Sequence, residues 1–274
     1  MSKVVLVTGA SKGIGRAIVD VLCSSGEDIK VLGIARSVDD LEALKTKHQG
    51  KFDYLCADIT DTAAIVGYVK KINKNYGSLD AVIANAGVLA PVQSVARADV
   101  MQWKQLFDVN FFSIVSLVSE LLPSLKKSSQ GDVILVSSGA SVKPYVCDKH
   151  HNRFAKEITT NNQKQYAWGA YGASKAALNQ FAQILALEEP QIKTVALAPG
   201  VVNTQMQDAI RDELGPPNMT PEALKRFTDL REKNELLEPE IPATIYANLA
   251  LHGIPATING KYLRYNDELL KEYR

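Results

Sequence analysis

Apolar residues along the chain fall into short continuous runs that are separated by segments with helical spacing. The first run, "VVLVT", covers residues 4–8, and Ile14, Ile18, Val21 and Leu22 then recur at helical spacing. Five further runs of strand length cover residues 30–35, 52–56, 79–84, 132–137 and 192–197. Because strands that alternate with helices form βαβ units, the pattern predicts an α/β protein with a parallel sheet and helices on both faces.

Two segments interrupt this alternation. Residues 143–166 are polar and rich in amide side chains, and residues 205–240 are charged with an amphipathic pattern. Apolar residues make up 46% of the chain and charged residues 22%, which is typical of a globular protein of this length, and no change of composition marks a domain boundary. We therefore interpret residues 1–274 as a single domain and both segments as excursions from the sheet.

Charge and cysteine usage exclude several classes of partner. A net charge of +1 does not favour nucleic acid or an acidic membrane surface. Cys23, Cys56 and Cys147 are too widely spaced for a disulfide framework or a metal site, and adjacent His150 and His151 do not share a helix face. We expect no metal. With no basic and apolar leader pattern and no long apolar span, we expect a cytoplasmic protein with reduced thiols.

A glycine-rich stretch, "TGASKGIG" at residues 8–15, joins the first strand to the first helix. Glycine lets the backbone approach a phosphate closely, and a helix N-terminus offers unpaired N–H groups to an anion. Gly9, Gly13 and Gly15 are spaced G-x-x-x-G-x-G rather than G-x-G-x-x-G, so an ordinary tight turn stays an alternative. The position favours a Rossmann-type, doubly wound sheet that binds a dinucleotide.

The end of the second strand bears on which dinucleotide is bound. It reads "IARS", with Arg36 and Ser37 where a carboxylate would bind the ribose of NADH, and Lys12 adds a second positive charge. A guanidinium can bind a 2′-phosphate through two hydrogen bonds, so the sequence favours NADPH. Two solvated surface cations are the alternative. Asp39 and Asp40 keep NADH open, although they have the position of acidic residues in the first turn of a helix.

A tyrosine and a lysine four residues apart occur in "AYGASKAAL", residues 170–178. Positions i and i+4 share a helix face, and Tyr171, Lys175, Leu178, Ala182 and Leu185 form one inward stripe, whereas Asn179, Gln180 and Gln183 fall elsewhere. An ammonium group close to a phenol stabilises the phenolate and lowers its pKa. The pair therefore predicts a proton donor at Tyr171. A core tyrosine with a lysine that extends to solvent is the alternative.

Four motifs in this order resemble the short-chain dehydrogenase/reductase family: the glycine loop, "ANAG" after the fourth strand, "SSGAS" after the fifth, and "YGASK". The resemblance extends over essentially the whole chain. "WGAYGASKAALN", "APGVVNTQM" and "NGKYLRYND" are similar to the branch of benzil reductases and sepiapterin-reductase-like proteins. The resemblance implies an NADPH-dependent carbonyl reductase that acts on ketones or vicinal diketones.

The resemblance also implies the catalytic residues. Ser138 follows the fifth strand and matches the family's serine, with Ser137 as the neighbour that could be confused with it. Tyr171 would protonate the carbonyl oxygen as hydride arrives, and Ser138 would hydrogen-bond the same oxygen. Lys175 would contact the nicotinamide ribose. Asn110, in "DVNFF", would hold a water in the proton relay.

Cofactor-binding residues follow from the same matches. Asp58 would lie beside the adenine, Asn85, Ala86 and Gly87 along the adenosine, and Val202 and Thr204 at the carboxamide and phosphate. The full predicted set is Gly9, Ser11, Lys12, Gly13, Ile14, Gly15, Arg36, Ser37, Asp58, Asn85, Ala86, Gly87, Asn110, Tyr171, Lys175, Pro199, Gly200, Val202 and Thr204.

Both irregular segments adjoin the expected substrate entrance. Ser138 and Tyr171 are 33 positions apart, longer than is usual in the family, and the excess lies within residues 143–166. A lid over the substrate is one interpretation, and a plain surface insertion is the other. Residues 205–240 correspond to the family's substrate loop, in which an amphipathic surface helix pair is the alternative to an apolar cover. The candidate cover residues are Met206, Ile210, Leu214 and Phe227.

Two other functions stay open. One is an NAD(P)-dependent alcohol or sugar dehydrogenase, and the other is a dinucleotide-sensing protein without turnover, which we would expect to lack part of the catalytic set. The expected partner is a small carbonyl compound, whose identity the sequence does not give. By resemblance, we also expect a homodimer or homotetramer.

Overall fold

Seven strands form one sheet in the computed structural model, which describes residues 2–142 and 167–274. The strands are β1 Lys3–Thr8, β2 Ile29–Ala35, β3 Phe52–Cys56, β4 Ala81–Ala84, β5 Asp132–Val136, β6 Lys193–Ala198 and β7 Tyr262–Arg264. Their order in the sheet is β3-β2-β1-β4-β5-β6-β7, and every neighbouring pair is parallel. The predicted parallel α/β sheet is therefore confirmed.

The six strands predicted from apolar runs are all present, and each begins and ends within two residues of its predicted bounds. The largest difference is at β4, which begins at Ala81 rather than Leu79, because the Leu79 N–H donates to the Ser124 carbonyl oxygen at 3.2 Å instead of to a neighbouring strand. The prediction missed β7. This strand has three residues, of which only Leu263 is buried, so it leaves almost no apolar run in the sequence.

Helices cover both faces of the sheet, as the alternation predicted. Their bounds are α1 Gly13–Ser24, α2 Val38–Lys47, α3 Thr62–Tyr76, α4 Val100–Phe107, α5 Ser113–Leu125, α6 Gly169–Glu188, α7 Gln205–Ala209, α8 Pro221–Glu232 and α9 Glu240–His252. Alternate residues of β1 belong to different cores: Val5 packs in the cluster of α1 and α9, and Leu6 in that of α3, α5 and α6. Residues described here form one domain around this sheet.

The strand order reverses beside β1, whose two neighbours are β2 and β4. In doubly wound sheets, the loops at the carboxyl ends of the strands separate at this point and leave a crevice. Here hydrogen bonds join the loops after β1 and β4 at the base of the crevice: the N–H groups of Asn85 and Ala86 donate to Thr8 Oγ1 at 3.0 and 2.9 Å. The fold thus brings the glycine loop and the "ANAG" motif together.

A long helical run, Val100–Leu125, joins α4 to α5 through a π-helical turn at Asp108–Phe112. Its length and apolar composition alone would allow it to cross a membrane, and 39% of its most apolar window is buried in the protein. Ile114, Leu117 and Leu121 of α5 are completely buried against the sheet. Burial of these α5 residues against the sheet therefore accounts for part of the apolar composition of the run.

Candidate active site

The glycine loop leads into an uncapped helix N-terminus. Lys12 occupies the position before α1, but its side chain makes no capping hydrogen bond, and the first turn contains no acidic residue. A Cβ at Gly15 would lie 2.1 Å from the Gly9 carbonyl oxygen, so the loop can fold back on the helix only with glycine there. The N–H groups of the first turn, at Gly13 and Ile14, thus stay available to an anion.

A cavity of about 520 Å³, which we call the cleft, opens along the carboxyl ends of the strands. This volume lies in the range of small-molecule and cofactor sites. Predicted residues that line the cleft are Gly9, Ser11, Lys12, Gly13, Ile14, Arg36, Ser37, Asp58, Asn85, Ala86, Gly87, Ser138, Tyr171, Lys175, Pro199, Gly200, Val202 and Thr204. Gly15 and Asn110 do not line it and lie behind its wall.

One end of the cleft carries exposed charges. Arg36 Nη1 lies 3.5 Å from Asp58 Oδ2, and Lys12 Nζ lies 3.7 Å from Asp40 Oδ2. Hydrogen bonds from Thr60, with a smaller contribution from the charge of Arg36, hold the pKa of Asp58 below its ordinary value. Asp40 lies in the first turn of α2, as predicted. Both cations therefore have a carboxylate nearby and remain accessible to solvent.

Tyr171 and Lys175 lie in the first two turns of α6. Lys175 is buried, its Nζ donates to the Val136 carbonyl oxygen at 2.8 Å, and it lies 5.9 Å from the centroid of the Tyr171 ring. Burial lowers the pKa of Lys175 to about 8. The alternative of a lysine that extends to solvent is therefore wrong. The predicted inward stripe is confirmed, since all its members are buried: Tyr171, Lys175, Leu178, Ala182 and Leu185.

The two serines after β5 have different environments. Ser137 is buried, and its Oγ donates to Asn179 Oδ1 at 2.6 Å. Ser138 is half-buried, and its Oγ accepts a hydrogen bond from the Ala140 N–H at 3.2 Å. Asn179 was placed off the inward stripe, but it is buried as well, and its Nδ2 donates to Ser141 Oγ at 2.8 Å. Helical periodicity could not identify this second buried face of α6.

Asn110 is completely buried in the π-helical turn. Its Oδ1 accepts from the Val88 N–H, and its Nδ2 donates to the Val88 carbonyl oxygen, both at 2.8 Å. Nδ2 also lies 3.2 Å from Ser174 Oγ on α6. A Cβ at Gly87 would lie 3.3 Å from Asn110 Oδ1 and 3.4 Å from Lys175 Nζ. Asn110 therefore joins the "ANAG" loop to the helix that carries Tyr171 and Lys175.

Aromatic rings surround the opposite end of the cleft. Trp168 stacks on Phe227 with ring centroids 5.6 Å apart and planes at 11°, and it meets Tyr171 edge-on at 5.8 Å. We call Trp168 and Phe227 the aromatic wall. Trp168 belongs to the motif "WGAYGASKAALN" but was not among the predicted site residues.

The substrate loop folds as α7, a π-helical turn at Ile210–Leu214, and α8. Met206, Ile210 and Phe227 line the cleft, so the expected apolar cover is present at these three positions. Leu214 does not line the cleft, but it packs against the apolar cluster that contains Ile210 and Phe227. Gln207, which was not among the predicted residues, also lines the cleft and is buried.

The predicted lid, residues 143–166 with Cys147, His150 and His151, lies outside the described residues. Within residues 2–142 and 167–274, no group of three or more histidine, cysteine, aspartate or glutamate side chains is arranged to hold a metal ion. Of the cysteines in these ranges, Cys23 is buried and Cys56 is exposed, and neither forms a disulfide.

Comparison with known proteins gives one consistent result. The sequence profile described as short chain dehydrogenase matches residues 3–150 and 159–215. The chain is 49% identical over 273 residues to an uncharacterized oxidoreductase of Saccharomyces cerevisiae, with 100% of this chain and 99% of that protein covered. It is also 47% identical over 278 residues to an (S)-benzoin-forming benzil reductase of the same yeast, covering 98% of each.

Solved structures agree with the sequence comparison. The crystal structure of a short chain dehydrogenase/reductase from Saccharomyces cerevisiae matches with a TM-score of 0.88 at 49% identity, covering 99% of each chain. Fold, motif order and sequence identity over the full length all lead to the same group of proteins. The chain belongs to the short-chain dehydrogenase/reductase family of oxidoreductases, and within that family it is similar to benzil reductases.

Proposed function

We propose that the protein is an NADPH-dependent carbonyl reductase that reduces a ketone or vicinal diketone, with Tyr171 as the proton donor. One observation carries the proposal: a buried ammonium group, that of Lys175, lies beside Tyr171 in the cleft that begins at the uncapped N-terminus of α1. Burying a charged lysine costs free energy. A role in stabilising the Tyr171 phenolate would explain why the lysine is nevertheless buried.

The cleft fits a nicotinamide dinucleotide. The unpaired N–H groups of the first turn of α1 suit a pyrophosphate, and members of this family use NAD or NADP. Arg36, Ser37 and Lys12 line the end where a 2′-phosphate would lie, which supports NADPH. When bound, the dihydronicotinamide supplies two electrons and a hydrogen nucleus as hydride to the carbonyl carbon.

The residues of the chain account for the proton. Tyr171 donates its phenolic proton to the carbonyl oxygen, so the C=O group that gained hydride at carbon becomes an alcohol. The charge of Lys175 stabilises the phenolate that remains. Ser138 Oγ already accepts from Ala140 N–H, which leaves its own hydrogen to donate to the substrate oxygen. Asn110 is proposed to hold the water through which Tyr171 regains its proton.

The aromatic wall supports an aryl substrate. Trp168 and Phe227 offer flat apolar surfaces next to Tyr171, and aromatic groups stack well on such rings. Relatives named benzil reductase are similar to this chain over most of its length, which supports a vicinal diketone with aryl groups.

The first experiment follows NADPH consumption with a panel of diketones, aldehydes, pterins and keto esters. We expect Tyr171→Phe to lower kcat by about 10²–10⁴-fold, because it removes the proton donor, without loss of NADPH binding measured by calorimetry. Tyr76→Phe removes a hydroxyl from the half-buried side of α3 and is the matched control. Substantial turnover by Tyr171→Phe would contradict the assigned acid.

A second experiment addresses the cofactor. We expect a higher kcat/KM with NADPH than with NADH, and Arg36→Ala should reduce that preference by about tenfold or more, because it removes a charge-assisted hydrogen bond to the phosphate. A faster reaction with NADH would refute the proposed cofactor. Faster alcohol or sugar oxidation with NAD would favour the dehydrogenase alternative. Binding of NADPH without turnover of any panel compound would favour a sensing protein.

Assembly and location complete the proposal. Val100, Met101, Phe112 and Leu187 are exposed apolar side chains on α4, the π-helical turn and α6, which supports a homodimer or homotetramer through these helices. Sedimentation velocity of the purified protein would test this.

A cytoplasmic location is supported by a yeast protein of known structure, 47% identical and described as cytoplasmic. We propose no nucleic-acid or membrane partner.

A further inference from the structure

The backbone of Ser138 is held by hydroxyl groups from two other residues. Ser138 precedes a 3₁₀ turn that ends at Ser141, and we call residues 138–141 the serine turn. The Ser138 carbonyl oxygen accepts from Ser141 Oγ at 2.5 Å, from the Ser141 N–H at 3.1 Å and from Tyr262 Oη at 3.3 Å. The placement of Ser138 therefore depends on what holds the Ser141 hydroxyl.

Asn179 joins the serine turn to α6. Ser137 Oγ donates to Asn179 Oδ1 at 2.6 Å, and Asn179 Nδ2 donates to Ser141 Oγ at 2.8 Å. Because Ser141 Oγ accepts this bond, its own hydrogen is directed to the Ser138 carbonyl oxygen. Asn179 is 8% exposed, and both ends of its amide are hydrogen-bonded. One side chain of α6 thus orients Ser141 toward Ser138.

The same helix carries the proposed proton donor. Tyr171 and Asn179 are eight residues apart on α6, which is about two helical turns. The serine turn also contacts α6 next to Tyr171, because a Cβ at Gly172 would lie 2.9 Å from the Ala140 carbonyl oxygen. Tyr171 and Ser138 are therefore both supported by α6, the first directly and the second through Asn179.

We propose that Asn179 is a positioning residue for carbonyl reduction, which sets the place of Ser138 Oγ relative to Tyr171. This inference rests on the proposed function, in which both hydroxyl groups bind the same carbonyl oxygen. Two donors serve one oxygen only when both lie at hydrogen-bond distance from it, so a shift of Ser138 weakens its contact in the transition state. Asn179 does not line the cleft, so it acts through the serine turn.

A purely structural role is the competing explanation. In that case the loss of Asn179 lowers stability alone, or it disturbs Lys175, whose carbonyl oxygen lies 3.5 Å from Ser137 Oγ. A disturbance of Lys175 would change activity without involving Ser138. The two explanations therefore differ in whether the effect of an Asn179 variant depends on the Ser138 hydroxyl.

A double-mutant cycle on kcat distinguishes the two explanations. It is measured below the Tm of every variant, with NADPH and the panel compound of highest kcat/KM, for which we expect benzil. Ser138→Ala should lower kcat by about 10²–10³-fold, because it removes one donor to the reacting oxygen. Asn179→Leu should lower kcat by about 10–100-fold with little change in KM, because Ser141 loses its anchor on α6 and Ser138 shifts. In the Ser138→Ala background, Asn179→Leu should have no further effect.

Two further variants sharpen the test. Ser141→Ala removes the hydroxyl between Asn179 and Ser138, and it should reproduce the loss of kcat with a smaller change in Tm. It replaces Asn179→Leu in the cycle if that variant folds poorly. Gln180→Leu, at the next and exposed position of α6, is the matched control and should leave kcat unchanged. The midpoint of the pH profile of kcat should stay that of the wild type in each variant, because the charge next to Tyr171 is unchanged.

Three outcomes would overturn this inference. They are wild-type kcat in Asn179→Leu or Ser141→Ala, an Asn179→Leu effect of equal size with and without the Ser138 hydroxyl, and a shifted midpoint of the pH profile, which would assign the effect to Lys175. Full activity of Ser138→Ala, or failure of the wild-type protein to oxidise NADPH with any panel compound, would instead overturn the proposed function, and this inference with it.

Discussion

The two ends of β5 each have a buried ionisable side chain, and they differ in what surrounds it. Asp132 begins the strand, and at its other end the Val136 carbonyl oxygen accepts the hydrogen bond from Lys175. Both side chains are almost completely buried. Burial raises the pKa of Asp132 to about 7 and lowers the pKa of Lys175 to about 8. Each group is therefore pushed toward its neutral form.

The two side chains differ in whether protein encloses them or the cleft reaches them. Asp132 Oδ2 accepts from the Ile254 N–H at 3.0 Å and from Gln130 Nε2 at 2.9 Å, whereas Oδ1 is buried without a partner. Lys175 lines the cleft, where a bound ligand can supply further acceptors. A shifted pKa thus marks burial at both ends of the strand, and access to the cleft marks the end that can perform chemistry.

The largest effect is expected at the cleft end. Lys175→Met should lower kcat by about 10²–10⁴-fold, because it removes the charge proposed to stabilise the Tyr171 phenolate. The same change should raise the free energy of unfolding at pH 7 by about 1–3 kcal/mol, since a buried charge is removed and one hydrogen bond is given up. Steady-state kinetics and urea unfolding of the cofactor-free protein measure the two effects.

The pH dependence of this gain has a fixed sign. The folded-state pKa of Lys175 lies below the unfolded value of 10.5, so the folded protein loses this proton first as pH rises. The free energy of unfolding of the wild type should therefore rise between about pH 8 and 10.5 because of this group. The difference in stability between Lys175→Met and the wild type should shrink over that range. An advantage that grows with pH would show that burial of the ammonium is not the cause.

At the closed end, Asp132→Asn should change stability without changing catalysis. The folded-state pKa of Asp132 is raised above its ordinary 3.8, so the wild type loses stability as pH rises through about 7. Above pH 7 the variant should be more stable than wild type by about 2–4 kcal/mol, and near pH 4 the two should be equal. Unfolding measured across this range, with kcat/KM as the control, tests both parts. A large loss of kcat/KM would contradict the contrast between the two ends.

The sequence predicted the two ends of β5 to different extents, depending on how far apart along the chain the interacting residues are. The cleft end depends on local motifs: Gly9, Gly13 and Gly15 lie within one loop, and Tyr171 and Lys175 within one helix, so spacing sufficed. Asp132 was predicted only as the first residue of a strand. Its partner Ile254 is 122 positions away, and no periodicity links the two.

Residues missed at the site share the same explanation. Asn179 is buried because the loop after β5, rather than the sheet, covers its side of α6, and helical spacing reports only the main stripe. Trp168 and Gln207 enter the wall through the packing of α7 and α8 over the cleft. Such contacts depend on tertiary placement, which a single sequence does not encode in a local pattern.

Asn179→Leu should have an intermediate effect. It keeps the volume of the side chain but removes the acceptor of Ser137 Oγ at 2.6 Å and the donor to Ser141 Oγ at 2.8 Å, so Ser141 Oγ keeps only its bond to the Ser138 carbonyl oxygen and Ser137 Oγ only longer contacts of 3.5 Å. We expect a loss of about 1–3 kcal/mol in the free energy of unfolding, because two hydrogen bonds in a mostly buried cluster are lost. Gln180→Leu, at the next and exposed position of α6, should be nearly neutral. Equal stability of the two variants would indicate that the polar cluster contributes little.

The smallest effect is expected from Lys3→Met at the closed end. Lys3 Nζ donates to Gln130 Oε1 at 2.9 Å and to the Leu251 carbonyl oxygen, and Gln130 Nε2 in turn donates to Asp132. The positive charge of Lys3 lowers the pKa of Asp132, one of several effects that partly offset burial.

Removing that charge should move the fall in wild-type stability to a slightly higher pH. The lost hydrogen bonds lower stability at every pH, so the midpoint of the pH dependence, rather than the absolute stability, is the quantity to measure. In the Asp132→Asn background, residue 132 no longer titrates. Lys3→Met should then lower the free energy of unfolding by the same amount at every pH. If the shift persists in that background, another group titrates near neutral pH, and the comparison between the two ends of β5 has to be redrawn around it.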